Sequence, residues 1–509
     1  MAAVTRTRIT LFAVLLALSL TATMVFAGRA SAAFEPAACS ELRVEAAGQV
    51  IEAGSIAALK TARCGYLTVP ENRLRPTGRT ISLAVAIVPP VSSTPAPDPV
   101  VYLAGGPGTS AISGAAAAVH AGFNRDRELI LVDQRGVGFS KPLLFCTDSF
   151  RFVTRRVGLV YDAAATGRRQ TAATRACRRD LVAQGVDLGA YNTTENAADV
   201  ADLRTALGLP EWNVYGVSYG TDLALTLMRE HPEGIRSATL DSVVPPHAAT
   251  LGGLWDNARE AFDNLFSACA AQRRCRQRHP GLRRTFTDLV RELEARPVTT
   301  RVRPTTGGPP VKVVLDGGAL ANWLVLMALG PPVYPNVPNA IDRLAAGRPD
   351  NVAAAWAALS RQPVNGLQNG VFCSEWVPYE PKSDLLRRGR RAFPSYPDSV
   401  LAQPPQIPFT FDDCRVWDVP KAPAAQRAVT QSSTPTLLLS GTFDAVTPPS
   451  QARIAAQTLP NSTVVAIPGV GHDPVAKSRC AQRLLASFLI TPSAPDTGCV
   501  ARLSPPTLR

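Results

Sequence analysis

The stretch Gly216-Val217-Ser218-Tyr219-Gly220 decides how this chain reads. It fits G-x-S-x-G, the sharp strand-to-helix turn that lifts a nucleophilic serine above a parallel sheet. Glycine and serine are common residues, so the pattern takes its weight from its flanks. Before it, Glu211-Trp212-Asn213-Val214-Tyr215 reads as a short buried strand. After it, residues 221–230 read as a helix with Leu223, Leu225, Leu227 and Met228 apolar, closed by His231-Pro232. Strand, Gly-flanked turn and helix are the setting such a serine needs. An ordinary βα turn shares those flanks, so the rest of the chain has to separate the two readings.

Upstream, residues 65–69 and 81–88 read as strands joined by the turn Arg75-Pro76-Thr77-Gly78. Residues 99–103 and 128–132 are further strands, 194–207 an amphipathic helix with an acidic first turn, and 235–240 a strand ending at Asp241. This alternation predicts a mostly parallel α/β sheet flanked by helices. Residues 245–428 break the pattern, being helix-rich with Pro-rich interruptions at 303–310, 330–338 and 404–405. Alternation resumes with a strand at 435–439, a helix at 450–458, a strand at 462–467 and a closing helix at 476–490. The tail after Thr491 is Pro-rich and reads as irregular apart from a tether at Cys499. The expected organisation is one core, 33–244 and 429–509, interrupted by a large helical cap at 245–428. No internal repeat is visible.

Residues 1–32 have the pattern of a secretory leader. Arg6 and Arg8 form a basic start, 9–26 is mostly apolar, and Ala30-Ser31-Ala32 is an A-x-A-type cleavage site. Ser19, Thr21 and Thr23 interrupt the apolar run, which argues against a retained membrane anchor. Cleavage near Ala32 would place the protein outside the cell or in its envelope. The ten cysteines are then expected as disulfides. Nearest-neighbour pairing gives Cys39–Cys64, Cys146–Cys177, Cys269–Cys275, Cys373–Cys414 and Cys480–Cys499. Lipid attachment at Cys39 is disfavoured by the preceding Pro36-Ala37-Ala38. No two cysteines are spaced as C-x₂-C and no histidine lies at ligand spacing from one, so no metal is expected. Removing Arg6, Arg8 and Arg29 of the leader takes the net charge from +13 to +10. The remaining arginines are spread along the chain, which reads as a solvated basic surface and not as a nucleic-acid site.

A serine nucleophile needs a base within hydrogen-bond reach and a carboxylate to orient that base. In folds built on this elbow the partners follow in chain order, acid and then histidine. Of the five histidines, His231, His247, His279 and His472 follow Ser218. His231 ends the elbow helix, where a cationic side chain suits the dipole. His247 and His279 fall in the expected cap. His472 sits in the tight loop Gly469-Val470-Gly471-His472-Asp473 between the last strand and last helix. Asp444, in the strand-end loop Gly441-Thr442-Phe443-Asp444-Ala445-Val446-Thr447-Pro448, is the acid of choice over Asp412, Asp413 and Asp473. The 226 residues between Ser218 and Asp444 exceed what a few βα units require and support an inserted cap.

Negative charge on a tetrahedral intermediate calls for two backbone N–H groups. Tyr219 would supply one. The loop Ala104-Gly105-Gly106-Pro107-Gly108, directly after a strand, would supply the other near Gly106. No G-K-[ST] follows it, so a phosphate loop is disfavoured.

Together these residues resemble the α/β-hydrolase fold, and within it the serine aminopeptidases of the proline iminopeptidase and tripeptidyl aminopeptidase group. The resemblance runs from about Cys64 to Leu489. Gly105-Gly106-Pro107-Gly108 matches that group's oxyanion loop, although Ala104 stands where histidine is common. Asp133-Gln134-Arg135-Gly136-Val137-Gly138-Phe139-Ser140 matches its D-Q-R-G-x-G-x-S segment, read as mainly structural. Residues 216–221 match G-x-S-Y-G-T, and 441–448 with Gly471-His472 match a tripeptidyl aminopeptidase-like C-terminal region. The resemblance implies removal of short peptides or single residues from free N-termini, with no cofactor. It also implies an anion for the substrate ammonium. Glu375, in Phe372-Cys373-Ser374-Glu375-Trp376, falls where the group carries C-x-[DE] and is the expected anchor. A secreted carboxylesterase or lipase using the same three residues on small esters is the alternative, with Trp323, Leu324 and Leu326 as the candidate apolar groove. A non-catalytic binding protein on the same scaffold is a second alternative, which an intact Ser, Asp, His and oxyanion loop argues against. Oligomeric state is not legible.

Overall fold

The core strands are short apolar runs, and the structure buries them on both faces. The computed structural model describes residues 32–509 except 47, 304–308, 331–333, 361–364 and 494. The expected leader thus lies, but for Ala32, outside the described residues. Nine strands form one sheet: Ala33–Ala37 (β1), Arg63–Pro70 (β2), Thr80–Val88 (β3), Val100–Leu103 (β4), Leu129–Val132 (β5), Trp212–Val217 (β6), Ile235–Asp241 (β7), Thr436–Gly441 (β8) and Ser462–Ile467 (β9). Their order is β1-β2-β3-β5-β4-β6-β7-β8-β9. From β5 to β9 all neighbours are parallel, while β1, β2 and β3 run antiparallel to their neighbours.

Side chains alternate between faces at period two. In β3, Ala84, Ala86 and Val88 join one apolar cluster with Leu437, Leu439, Ile467 and Phe488. Val85 and Ile87 join the opposite cluster with Val101, Leu103, Val214, Leu223 and Leu438. Helices cover both faces of the sheet, which is why these strands read as continuous apolar runs and not as alternating ones.

Eight helices matter to the site. Thr147–Arg156 (α1) and Ala164–Ala183 (α2) precede β6, as does Thr193–Ala206 (α3), capped by Asn192, whose side chain accepts from Glu195 N at 2.9 Å. Tyr219–Glu230 (α4) follows the elbow. Leu254–Ala271 (α5), Gly317–Leu326 (α6) and Thr410–Trp417 (α7) lie in the long insertion between β7 and β8, and Arg479–Ile490 (α8) closes the sheet. A third cluster, including Trp255, Trp323, Trp356 and Trp417, forms the core of this helical lid. Cys177 and Leu181 of α2 belong to the same cluster, so α1 and α2 pack with the lid although they precede the elbow in sequence. The insertion also holds a hairpin, Val298–Val302 with Val311–Leu315.

Several elements differ from expectation. Strand β1 contains Glu35 and Pro36 and is mostly exposed; its register against 64–68 of β2 makes it a strand, not its own pattern. The expected closing helix is two helices, Pro474–Lys477 and α8, divided at Ser478, whose side chain caps α8. The tail is less irregular than expected: Arg509 N donates to Pro335 O at 2.7 Å and Leu508 is buried.

The ten cysteines form the five expected nearest-neighbour pairs, with Cα–Cα separations of 4.9 to 5.8 Å. Each stabilises the fold by about 2–4 kcal/mol, mainly by restricting the unfolded chain. The Cys39 sulfur is committed to Cys64 and is not free for a lipid.

Candidate active site

The two glycines of the elbow are required by close packing. A Cβ on Gly216 would lie 2.3 Å from Gly220 O, and one on Gly220 would lie 2.0 Å from Leu103 O. Only bare backbone lets β6, the turn and α4 cross this tightly. Ser218 itself has φ 56° and ψ −126°, a strained setting for a residue with a side chain. Its N–H donates to Asp241 O at 2.9 Å, and Thr221 Oγ1 donates to its carbonyl at 2.6 Å. The serine is half-buried and opens on a cavity of about 660 Å³.

The loop after β4 lies against this serine. A Cβ on Gly105 would sit 2.8 Å from Ser218 Cβ and 3.4 Å from Ser218 Oγ. Gly106 has φ 110°. Gln134 Nε2 donates to Ala104 O at 2.8 Å, and Asn365 Nδ2 of the lid donates to Gly108 O at 3.0 Å, so the loop is held from both sides. Tyr219 is the first residue of α4, and its N–H therefore lacks an intrahelical acceptor. The 133–140 segment acts as a brace. Asp133 accepts from Ser110 Oγ, Ile112 N and Phe139 N, and Arg135 is fully buried on Asp199 at 2.8 Å, with Glu71 O and Ala190 O.

His472 and Asp444 meet from neighbouring strand-end loops, after β9 and β8. His472 Nδ1 lies 2.8 Å from Asp444 Oδ2. Thr447 Oγ1 donates to the same oxygen at 2.6 Å, and Val446 N and Thr447 N donate to Oδ1 at 2.9 and 3.0 Å. Asp444 is fully buried. Burial alone would raise its pKa, but the His472 charge and the hydrogen bonds from His472 and Thr447 outweigh that and hold it at about 2. An ionised carboxylate facing Nδ1 requires the hydrogen there, which leaves Nε2 as the basic nitrogen. The lid supports these loops: Ala328 O accepts from His472 N at 2.9 Å, while Asn257 and Asn264 of α5 donate to Val446 O and Thr442 O at 2.8 and 2.9 Å.

Ser218, Tyr219, Gly105, Gly106, Thr447 and His472 all line the one cavity. The rival acids are elsewhere or otherwise engaged. Asp473 caps the short helix Pro474–Lys477 through Ala476 N, and Asp412 pairs with Arg415 at 3.0 Å. Among the other histidines, His279 pairs with Asp342 at 2.5 Å inside the lid.

Glu375, the expected amine anchor, faces Thr193. It is buried, does not line the cavity, and receives Thr193 N and Thr193 Oγ1 at 2.6 and 2.7 Å. Thr193 Oγ1 lies 2.9 Å from Tyr219 OH, so Glu375 ties the lid to α3 and to the elbow helix. Burial and the nearby Asp222 push its pKa well above the usual carboxylate range. Of the expected apolar groove, Leu326 lines the cavity; Trp323 and Leu324 do not.

Sequence reasoning missed the lid-borne wall of the cavity: Arg156 from α1, Gln170 from α2, Ser360, and Thr410 and Asp413 from α7. Asp413 is 5% exposed, with Thr171 and Thr174 beside its carboxylate; its Oδ2 accepts from Gln170 Nε2 at 2.6 Å, and its Oδ1 has no close hydrogen-bond partner among the described residues. Burial raises its pKa to about 6 against the hydrogen bonds from its neighbours. Two disulfides fasten this wall, Cys146–Cys177 between α1 and α2 and Cys373–Cys414 onto α7. Among the described residues there is no cluster of His, Cys, Asp and Glu that could hold a metal.

Comparisons with known proteins place this arrangement. The chain is 24% identical to the serine protease Hip1 of Mycobacterium tuberculosis over 464 residues, 86% of each chain. It is 32% identical to the tripeptidyl aminopeptidase of Streptomyces lividans over 195 residues, 37% of this chain and 36% of that one. The crystal structure of proline iminopeptidase from Mycobacterium smegmatis aligns at TM-score 0.38 and 16% identity, covering 84% of this chain and 98% of that one. The sequence pattern of the alpha/beta hydrolase fold matches residues 98–477, three-quarters of the chain, and the chain belongs to the α/β hydrolase family.

Proposed function

We propose that this serine hydrolase is an exported aminopeptidase that releases short peptides or single residues from free N-termini through an acyl-enzyme on Ser218. The observation that carries the reading is the His472–Asp444 pair at 2.8 Å opening on the same cavity as the half-buried Ser218. Relatives named serine protease and tripeptidyl aminopeptidase favour peptides over other acyl substrates.

Nε2 of His472 takes the Ser218 proton as the oxygen attacks the scissile carbonyl, and Asp444 stabilises the resulting imidazolium. The N–H groups of Tyr219 and the Gly106 region receive the oxyanion, each worth about 10²–10³ in rate at such sites. His472 protonates the leaving amine, and water then attacks the acyl-enzyme by the reverse route. The lid spans 245–428, with α1 and α2 as a second lid element, and the core comprises 33–244 and 429–509. The substrate ammonium is assigned to Asp413 in place of Glu375, because Asp413 borders the cavity with an unpartnered carboxylate oxygen. Glu375 instead positions the elbow helix through Thr193. Export is supported by the leader pattern and by the five disulfides. No helix among the described residues is long and apolar enough to cross a membrane.

The test is mass-spectrometric profiling of a peptide library with free and acetylated N-termini, alongside neutral acyl esters. Trimming of the free peptides with the acetylated ones spared is expected. Ester hydrolysis with no peptide cleavage would assign the protein as a carboxylesterase.

A further inference from the structure

Three arginines are buried among the described residues, and two of them have carboxylate partners. Arg135 sits on Asp199 at 2.8 Å and Arg127 on Asp98 at 3.0 Å. Arg156 is the exception. It is 7% exposed, at the end of α1, and makes no ion pair among the described residues. Its Nη2 donates to Ser360 O at 3.1 Å, and its buried Nε has no acceptor among the described residues. Burial pulls its pKa down, with Tyr161 and Asp413 only partly offsetting that. A buried cation that makes no ion pair is costly, so a chain that pairs its other buried guanidiniums leaves this one without a direct carboxylate contact only at a cost to stability.

The place of this cation gives it a use. Arg156 lines the cavity that holds Ser218 and His472. Lining the same cavity are further buried polar atoms without partners among the described residues: Gln170 Oε1, Ser360 Oγ, Gln406 Nε2 and Asp413 Oδ1. Apolar packing does not leave such a set behind, since buried polar groups are ordinarily hydrogen-bonded. Gathered on one cavity wall, the set suits a ligand that brings hydrogen-bond partners of its own. The charges on the wall match a ligand with an ammonium facing Asp413 and a carboxylate facing Arg156. The guanidinium can take a carboxylate through two parallel N–H donors.

We propose that Arg156 is a specificity residue that binds the side-chain carboxylate of an Asp or Glu within the first residues of the substrate, beside the N-terminal ammonium held by Asp413. This rests on the aminopeptidase reading, because the ammonium fixes which end of the peptide reaches the lid wall. The disulfide Cys146–Cys177 tethers the helix that carries Arg156 to the helix that carries Gln170, which keeps the wall pre-formed.

The test uses the full-length mature protein and matched peptides with Glu or Gln at each of the first three positions and a free N-terminus. A Glu:Gln ratio in kcat/KM of about tenfold or more at one position is expected, equivalent to about 1.4 kcal/mol of discrimination. Arg156→Gln should bring that ratio near one, and Arg156→Lys should restore part of it. Because the ratio is internal to each enzyme, partial loss of folded protein does not affect it. A wild-type ratio at or below one at all three positions overturns the assignment even if no variant folds. A preference for free-acid over amidated C-termini without a Glu preference also overturns it, placing the carboxylate at the other end of the substrate. If no peptide is cleaved while neutral esters are, the aminopeptidase reading fails instead. The assignment is then read from p-nitrophenyl hemiglutarate against p-nitrophenyl butyrate, where preference for the charged acyl group supports carboxylate binding at Arg156 and its absence overturns it.

Discussion

The sheet edge and the lid wall face the same cavity and are built on opposite terms. At the sheet edge the Asp444 carboxylate is fully provided for: it accepts from His472, Thr447 Oγ1 and two backbone N–H groups. On the lid wall, Arg156, Gln170, Ser360 and Asp413 each keep a buried polar atom without a partner among the described residues. A preorganised reaction centre needs its hydrogen bonds satisfied before substrate arrives, whereas a recognition wall needs them open. On the proposed function, the contrast separates the chemistry, assigned to the core, from the choice of substrate, assigned to the lid.

Breaking the core side should have the largest effects. Asp444→Asn removes the charge that holds His472 in its working tautomer, and kcat should fall about 10⁴-fold on peptides and esters alike. Steady-state kinetics on both substrate types checks this, and a loss confined to peptides would move Asp444 out of the catalytic centre. On the lid side the effects should be smaller and selective. Asp413→Asn should lower kcat/KM for free-amine peptides by about 10- to 100-fold, the worth of one charge-assisted hydrogen bond, and affect neutral esters much less. Equal losses on both would show that Asp413 serves the fold and not the ammonium.

The pH dependence sharpens the same division. Asp413 has its pKa raised to about 6, so it is ionised above that pH and becomes neutral as pH falls through it. Protonation of the catalytic imidazole affects every substrate equally and cancels in a ratio. The ratio of peptide to ester kcat/KM should therefore drop below about pH 6, roughly tenfold per unit once the carboxyl is mostly neutral. A flat ratio from pH 5 to 8 would remove Asp413 from binding. The smallest effect is expected at Glu375. Its carboxyl faces Thr193 and does not line the cavity, so Glu375→Gln should leave kcat/KM at pH 7 within about twofold. A large rise in KM for free-amine peptides alone would restore Glu375 as the amine anchor.

The division also explains what was legible in the sequence. Strands such as 436–441 and 212–217 are buried on both faces, so their apolar runs mark them without knowledge of their neighbours. Elbow, base and acid sit at strand ends, where tight Gly-rich loops leave a local signature. The helical pair α1 and α2 left none. Its sequence is crowded with Arg155, Arg156, Arg168, Arg169, Arg175, Arg178 and Arg179, and it hid the one arginine that turns inward among those that face water. Asp413 was weighed only as a partner for histidine, because its place on the cavity depends on how α7 docks on α2. Glu375 shows the converse: a local motif pointed to the cavity, while packing buried its carboxylate on Thr193.

The most direct test of the central claim is active-site mapping with a fluorophosphonate, comparing the wild-type protein with Ser218→Ala and His472→Ala. A single covalent adduct on Ser218 is expected, absent from folded Ser218→Ala and formed orders of magnitude more slowly in His472→Ala. An adduct on a different residue, or undiminished labelling of Ser218→Ala, would contradict a nucleophile at the β6–α4 elbow.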